Sequence, residues 1–250
     1  MKITFIGVSS CIPDVGSETS SFLIDAKILV DTGWCGVLKM REYNLDPLDL
    51  EYLILTHFHQ DHYLGLPQLL FYLGIKKLNG AYFPRKPFTI IGPSKHLNEV
   101  VTKAQEFMQI KEFPELSLDL KLVSLSPGQS YVNRKFRLDT FPARHLSGKN
   151  IPEEAFICKF TEIGTNKFFT FTGDTSFYPP LVDFAKESLL FIHDACHSSP
   201  KEAATIAKMA RVKKLYLIHY PRNRKKEIIT KARKIFPKSF LAREGGISEI

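Results

Sequence analysis

Tyr52-Leu53-Ile54-Leu55-Thr56-His57-Phe58-His59-Gln60-Asp61-His62 is the stretch whose reading decides the fold. Its first half is continuously apolar up to Thr56, as a strand buried on both faces requires. Its second half packs three imidazoles and a carboxylate into six residues. In a tight loop, residues i and i+2 turn their rings to one point, with Asp61 and His62 beside it. Neutral imidazole and carboxylate are the ligands that borderline divalent metals prefer. A purely structural cluster would bury several polar rings without partners, which is costly. The stretch therefore predicts metal binding directly after a buried strand.

Outward from this point the chain alternates between strands and helices. Residues 2–8 predict a strand, and 21–25 with 28–31 a hairpin closing on Asp31-Thr32-Gly33. A helix is expected over 36–43. Another follows the histidine cluster through Leu66, Leu69, Leu70 and Leu73, with Pro67 tolerated in its first turn. Further strands are expected near 88–91, 119–124, 130–132, 135–141, 155–161, 167–172, 189–192 and 215–218, and a helix over 94–107. Ser199-Pro200-Lys201-Glu202 has a capping-box pattern that opens a helix to about residue 210. A basic helix over 225–236 places Ile228, Ile229, Ala232, Ile235 and Phe236 at helical spacing, on a buried face. No repeat and no Gly/Ser or Pro linker divides the chain, so residues 1–250 are expected to form one domain. Many strands with interspersed helices predict an α/β architecture of two sheets, covered by helices on their outer faces.

The chain has 250 residues, 44% hydrophobic and 24% charged, which excludes collagen-like, coiled-coil and wholly disordered readings. No run approaches the ~20 apolar residues of a membrane helix, and the N-terminus lacks a signal-peptide pattern. The expectation is a cytoplasmic protein without a membrane partner. Cys11, Cys35, Cys158 and Cys196 are scattered, which disfavours a disulfide framework or zinc ribbon; mostly they are expected to be small buried or half-buried hydrophobes. Charge is uneven. Residues 201–250 hold 14 Lys+Arg against 4 Asp+Glu, whereas residues 1–200 hold 20 against 22. Such asymmetry marks either a polyanionic partner, RNA included, or a solvated outer helix.

Three further groups stand just past expected strand ends: His145, Asp174 and His219. Singly, each reads as a satisfied polar residue as readily as a ligand. Together they are placed where three strand ends can deliver them to the edge that holds the first cluster.

His57-x-His59-x-Asp61-His62, then His145, Asp174 and His219, in this order and spacing, resembles the metallo-β-lactamase superfamily. The segments Gly7-Val8-Ser9-Ser10-Cys11-Ile12-Pro13 and Ser20-Ser21-Phe22-Leu23-Ile24 resemble its ribonuclease Z and phosphodiesterase branch. The resemblance runs nearly the whole chain and implies a four-layer αββα sandwich with a dinuclear site at one edge. It implies that His57, His59 and His145 bind one metal, that Asp61, His62 and His219 bind a second, and that Asp174 bridges them. Asp31 matches the family's aspartate turn; it would hold a ligand imidazole in its tautomer, or merely form the turn. Two divalent ions ~3.5–4 Å apart bring a shared water to hydroxide near neutral pH and polarise the substrate oxygen. Zinc is expected, and manganese or iron also suit such ligands.

His193-Asp194-Ala195-Cys196-His197-Ser198-Ser199-Pro200 resembles a fusion, in one short loop, of two ribonuclease Z motifs. His197 is expected near the site, stabilising the phosphoryl transition state or protonating the leaving oxygen, with Asp194 orienting it. His193 is expected to be a structural hydrogen-bonding residue, and His96 an exposed residue without a role.

Two departures argue against a full ribonuclease Z. Only 28 residues separate His145 from Asp174, where the family inserts a long basic arm. Pro221 also stands where the family has Ser after its last His, although Arg222 and Arg224 follow, as phosphate contacts or plain surface charge. The expectation is a binuclear hydrolase of small, nucleotide-like phosphodiesters. A tRNA 3′-processing endonuclease and a lactonase, thioesterase or arylsulfatase are the enzymatic alternatives. A metal-dependent ligand sensor and a basic RNA-binding protein are the others. Substrate choice is expected to lie in loops 9–20, 74–88 and 145–153. A homodimer is implied by the resemblance.

Overall fold

The structure is a computed structural model and describes residues 1–82, 86–145 and 154–250. Strand patterning gives the reason for its layers. Phe22 and Ile24 face one core cluster while Leu23 between them faces a second, and Ile54 and Leu53 divide in the same way. Strands that are apolar on both faces must be covered on both, which forces layers on either side.

The chain begins with β1 (Lys2–Gly7), β2 (Ser21–Ile24), β3 (Ile28–Val30), β4 (Tyr52–Ile54), β5 (Phe88–Pro93) and β6 (Leu120–Leu125). It continues with β7 (Ser130–Val132), β8 (Phe136–Pro142), β9 (Phe156–Glu162) and β10 (Phe168–Phe171). β11 (Leu190–Asp194), β12 (Leu215–Ile218), β13 (Ser239–Leu241) and β14 (Ile247–Glu249) complete the strands among the described residues. They form two seven-stranded sheets, ordered β14-β1-β2-β3-β4-β5-β6 and β13-β12-β11-β10-β9-β8-β7. β3 to β6 run parallel, as do β10 to β13, so their C-terminal ends share an edge within each sheet.

Between the sheets, Phe22 meets Phe171 edge-on at 5.0 Å and Phe5 meets Tyr216 at 5.3 Å. Burying one such ring contributes about 1.5–3 kcal/mol. Helices α1 (Gly36–Glu42), α2 (Gln60–Tyr63), α3 (Leu66–Leu78) and α4 (Leu97–Phe107) follow strands of the first sheet. Met40, Leu66, Leu69, Leu70, Leu73, Leu97 and Val101 close that sheet's outer core. Helices α5 (Leu181–Phe184), α6 (Pro200–Met209) and α7 (Lys225–Arg233) cover the second sheet through residues such as Ala203, Ile206 and Ile228. The expected αββα sandwich is the observed architecture. No helix among the described residues is long and apolar enough to cross a membrane.

Several expectations need correction. The helix expected over 94–107 starts at Leu97, and the basic helix stops at Arg233, leaving Ile229, Ile235 and Phe236 only partly buried. Asp194 is not in a loop: it ends β11, whose pairing with β12 continues to its last residue. Cys11, Cys35 and Cys196 are exposed and Cys158 alone is buried, because only Cys158 lies inside a strand. Of the loop expected over 74–88, residues 74–78 belong to α3. Residues 83–85, and 146–153 of the loop expected over 145–153, lie outside the described residues.

Candidate metal centre

Strand ends deliver the site. β3 stops at Val30 and Asp31 follows with a left-handed φ of 54°. Beyond β4, Leu55 and Thr56 remain buried, and the Thr56 carbonyl accepts from Phe156 N of the second sheet at 2.9 Å. His57 comes next. Asp61 and His62 lie on α2, a single helical turn rather than an open loop, with His59 preceding it. From the second sheet, His145 follows β8, Asp174 follows β10, Asp194 ends β11 and His219 follows β12 with φ 57°.

Seven side chains expected as ligands converge in two groups. Ligand atoms of His57, His59 and His145 all lie within 4.8 Å of one another, and so do those of Asp61, His62, Asp174 and His219. His145 Nε2 and His59 Nδ1 are 2.8 Å apart. Asp61 Oδ2 is 3.2 Å from His219 Nε2 and 3.3 Å from His62 Nε2. Asp174 Oδ2 is central, at 3.9 Å from His57 Nε2, 3.4 Å from His62 Nε2 and 3.6 Å from His219 Nε2. That single oxygen touches both groups.

The inward nitrogens of His57, His62 and His219 are aimed by what holds the other side of each ring. Asp31 Oδ2 receives His62 Nδ1 at 2.8 Å, while Thr56 donates its N–H to Oδ1 and its hydroxyl to Oδ2. Asp194 Oδ1 receives His219 Nδ1 at 3.2 Å. The Thr56 hydroxyl lies 3.1 Å from His57 Nδ1. Carboxylate-held imidazoles presenting their far nitrogen to one point are the arrangement found around metals. Among the described residues, the buried His57 Nε2 and His62 Nε2 have no hydrogen-bond partner. Orphaned buried nitrogens cost free energy unless something accepts their lone pairs. The nitrogen and oxygen donors therefore fit divalent ions such as zinc, manganese or iron.

Electrostatics agree. Burial holds His57 well below the usual histidine range and pushes His145 down to about 4, so both are neutral donors at pH 7. Burial opposes charge on His62 and His219 too, but Asp174 beside both, with Asp31 or Asp194 behind, raises them. Against its burial, Asp61 is lowered by His219 and His62, and Asp174 by His219, His62 and His57. Buried carboxylates held anionic favour a cation beside them.

His197, partly exposed, reaches the same cluster. Its Nδ1 lies 3.0 Å from Asp194 Oδ2 and 3.5 Å from Asp174 Oδ2. The hydrogen bond to Asp194 raises its pKa. Asp194 also accepts from the backbone N–H of Cys196 at 2.7 Å and of Thr175 at 3.2 Å. It thus positions His197 and His219 together. His193 takes no part; its Nδ1 donates to the Asp194 carbonyl at 2.7 Å. His96 sits at the start of α4, with Glu99 at 3.3 Å. Arg224 is paired with Glu227 at 3.0 Å and Arg222 Nη1 donates to Val15 O.

Two contributors escape sequence reasoning. Buried Glu18 accepts from the backbone N–H groups of Thr19, Trp34 and Cys35, and Thr19 Oγ1 donates to Asp61 O at 2.8 Å. This ties the loop before β2 to the Asp31 turn and to α2. A lone Glu in a loop carries no spacing signal. Cys196 is the second: its Sγ lies within 4.8 Å of ligand atoms of His197 and His219. Only its neighbour His197 marks it in the sequence.

Comparison with known proteins agrees with this fold. Among solved structures, the metallo-beta-lactamase fold protein YhfI from Bacillus subtilis superposes with a TM-score of 0.80 at 22% identity, over 100% of this chain and 99% of that one. The short form of human tRNase Z gives 0.79 at 22% identity, again over 100% and 99%. A curated ribonuclease Z from Lachnospira eligens is 26% identical, covering 100% of this chain and 98% of its own length. The sequence family described as anti-Pycsar protein Apyc1 matches residues 1–240. The chain accordingly belongs to the anti-Pycsar protein Apyc1 family, in the ribonuclease Z-like branch of the metal-dependent hydrolases of the metallo-β-lactamase superfamily.

Proposed function

We propose that the chain is a binuclear phosphodiesterase of small, nucleotide-like substrates, acting as one domain over residues 1–250. The observation that carries the reading is Asp174 Oδ2, within 3.9 Å of nitrogens from His57, His62 and His219, and so common to both ligand groups. His57, His59 and His145 would hold one ion, Asp61, His62 and His219 the other, and Asp174 both. Two such ions, zinc expected, supply an activated water and polarise a phosphoryl oxygen when bound. The chain's own groups do the rest. Asp31 and Asp194 fix His62 and His219 in the tautomer that leaves Nε2 free. His197, whose pKa the hydrogen bond to Asp194 raises, would donate a proton to the leaving oxygen.

Small substrates are favoured over precursor tRNA because the 28 residues between His145 and Asp174 include β9 and β10 and leave no length for a clamping arm there. A homodimer is part of this reading and is tested by sedimentation velocity.

The deciding experiment couples elemental analysis with a hydrolysis panel. The panel contains a chromogenic phosphodiester, a cyclic nucleotide as the smallest nucleotide phosphodiester, a phosphomonoester, a sulfate ester, a lactone, a thioester and a precursor tRNA. About two metals per chain with selective turnover of the small phosphodiesters is the expected result. Lactone, thioester or sulfate turnover alone would overturn the substrate class, and cleavage of the tRNA would make the chain an endonuclease.

A further inference from the structure

A cavity of about 510 Å³ opens beside β12 and β13, and none of the candidate ligand side chains lines it. Val8 and Tyr220 line it, and Arg222, Lys225, Lys226 and Arg243 surround it with the single carboxylate of Glu244. Among the described residues none of these four cations forms an ion pair, whereas the neighbouring Arg224 and Lys231 both pair with Glu227. Glu244 is already engaged, one of its oxygens accepting from Ser17 Oγ at 2.9 Å and Glu18 N at 2.5 Å. Arg222 donates to the Val15 carbonyl, which holds its guanidinium in place rather than neutralising it.

Lys225 lies 5.9 Å over the Tyr220 ring, yet such a concentration of like charge without ion pairs works against the fold. Lys225 and Lys226 occupy the first turn of α7, the positive end of the helix dipole, and no side chain caps that end. Cations there are unfavourable, so stability of the helix does not account for them. On a solvated face, lysines and arginines spread into water; gathered round a concavity, they focus a positive field into it. The volume falls in the range of small-molecule sites. An extended nucleic acid would instead call for a basic stripe rather than a pocket.

We propose that this pocket is a second ligand site, distinct from the metal centre, for a small ligand carrying several phosphate charges. Arg222 and Arg243 would bind its oxygens by charge-assisted hydrogen bonds, with Lys225 and Lys226 adding point charges.

Isothermal titration of the metal-replete protein with inorganic triphosphate, at fixed ionic strength, tests this. Wild-type protein is expected to bind, and the Lys226→Gln/Arg243→Gln double variant to bind roughly tenfold more weakly or worse. Both side chains are exposed, so the fold should survive, and an unchanged melting temperature checks that. His59→Ala, which disables the metal centre, is expected to keep the wild-type affinity. Unchanged affinity in the double variant, or loss of binding in His59→Ala alone, would overturn the proposal by moving the triphosphate to the metals. If wild-type protein binds no triphosphate, the proposal also falls; loss of short single-stranded RNA binding in the double variant would then make the pocket a nucleic-acid surface.

Discussion

Asp31 shows how a residue outside the ligand set can govern the site. It is fully buried, receives His62 Nδ1 at 2.8 Å and sits at φ 54°. Asparagine tolerates that backbone, so Asp31→Asn removes the charge and leaves the turn. Metal affinity should fall about 10–100-fold, as for comparable partners behind a ligand imidazole. Competition with a chromophoric chelator measures it, and an unchanged affinity would reduce Asp31 to a turn former. His59→Ala should deplete one metal and abolish turnover; full activity would overturn the ligand assignment. His197 is testable through pH. Its pKa is raised, so its proton persists to higher pH than that of a free histidine and is lost as pH rises through the raised value. If it donates that proton, the rate falls on the alkaline side. His197→Ala should lower kcat by about 10²–10⁴-fold, retain metal and abolish that alkaline limb. Loss of metal would instead make His197 a ligand. That these residues converge was legible because histidine and aspartate at fixed intervals after apolar runs are rare without a common target. The double duty of Asp194 was not, since one carboxylate serving His197 and His219 depends on β11 and β12 lying side by side.

At the scale of elements, the site is a set of strands halted abruptly. β3, β10 and β12 are each followed within two residues by a left-handed position: Asp31 at 54°, Gly173 at 54° and His219 at 57°. Each turns the chain so that a polar side chain meets the common edge. Gly173 has the least freedom to change, because a Cβ there would stand 2.8 Å from the Phe156 carbonyl oxygen. Gly173→Ala combines that clash with an unfavourable backbone, costing about 1–3 kcal/mol. At about 2–4 °C per kcal/mol for a chain of this size, the melting temperature should drop by several degrees. Asp174 would shift with it, so bound metal should fall as well. A variant that melts normally and keeps its metals would show that the turn does not place Asp174. Buried strands and helices were readable from apolar runs. β13 and β14 were not, because three residues at a sheet edge, such as Ile247-Ser248-Glu249, carry no periodic signal. They acquire their conformation by pairing with β12 and β1, not from local propensity.

For the whole molecule, the decisive fact is that the candidate site, ligands and supporting carboxylates together, is divided between the sheets. Asp31, His57, His59, Asp61 and His62 come from the first sheet and its loops, and His145, Asp174, Asp194 and His219 from the second. Ions held between them would clasp the two sheets at one edge and bind the folded chain alone. Such binding stabilises by about 4 kcal/mol at a thousandfold excess over Kd. Removing the ions should therefore lower the melting temperature by roughly 10 °C. Acid should reproduce the loss. His57 and His145 are held below the histidine range, so the unfolded chain binds protons more readily than the folded one as pH falls from about 6.5 toward the folded value. Stability then rises with pH across that window, and His145, at about 4, marks its lower end. Paired melts in chelator and in excess zinc, repeated at neutral pH and near pH 5, check both effects. Chelator should matter most at neutral pH, where protons compete least with the ions for the ligand imidazoles. Equal melting temperatures after verified metal removal would mean that the sandwich closes without its ions, and that the paired sheets and the core between them suffice.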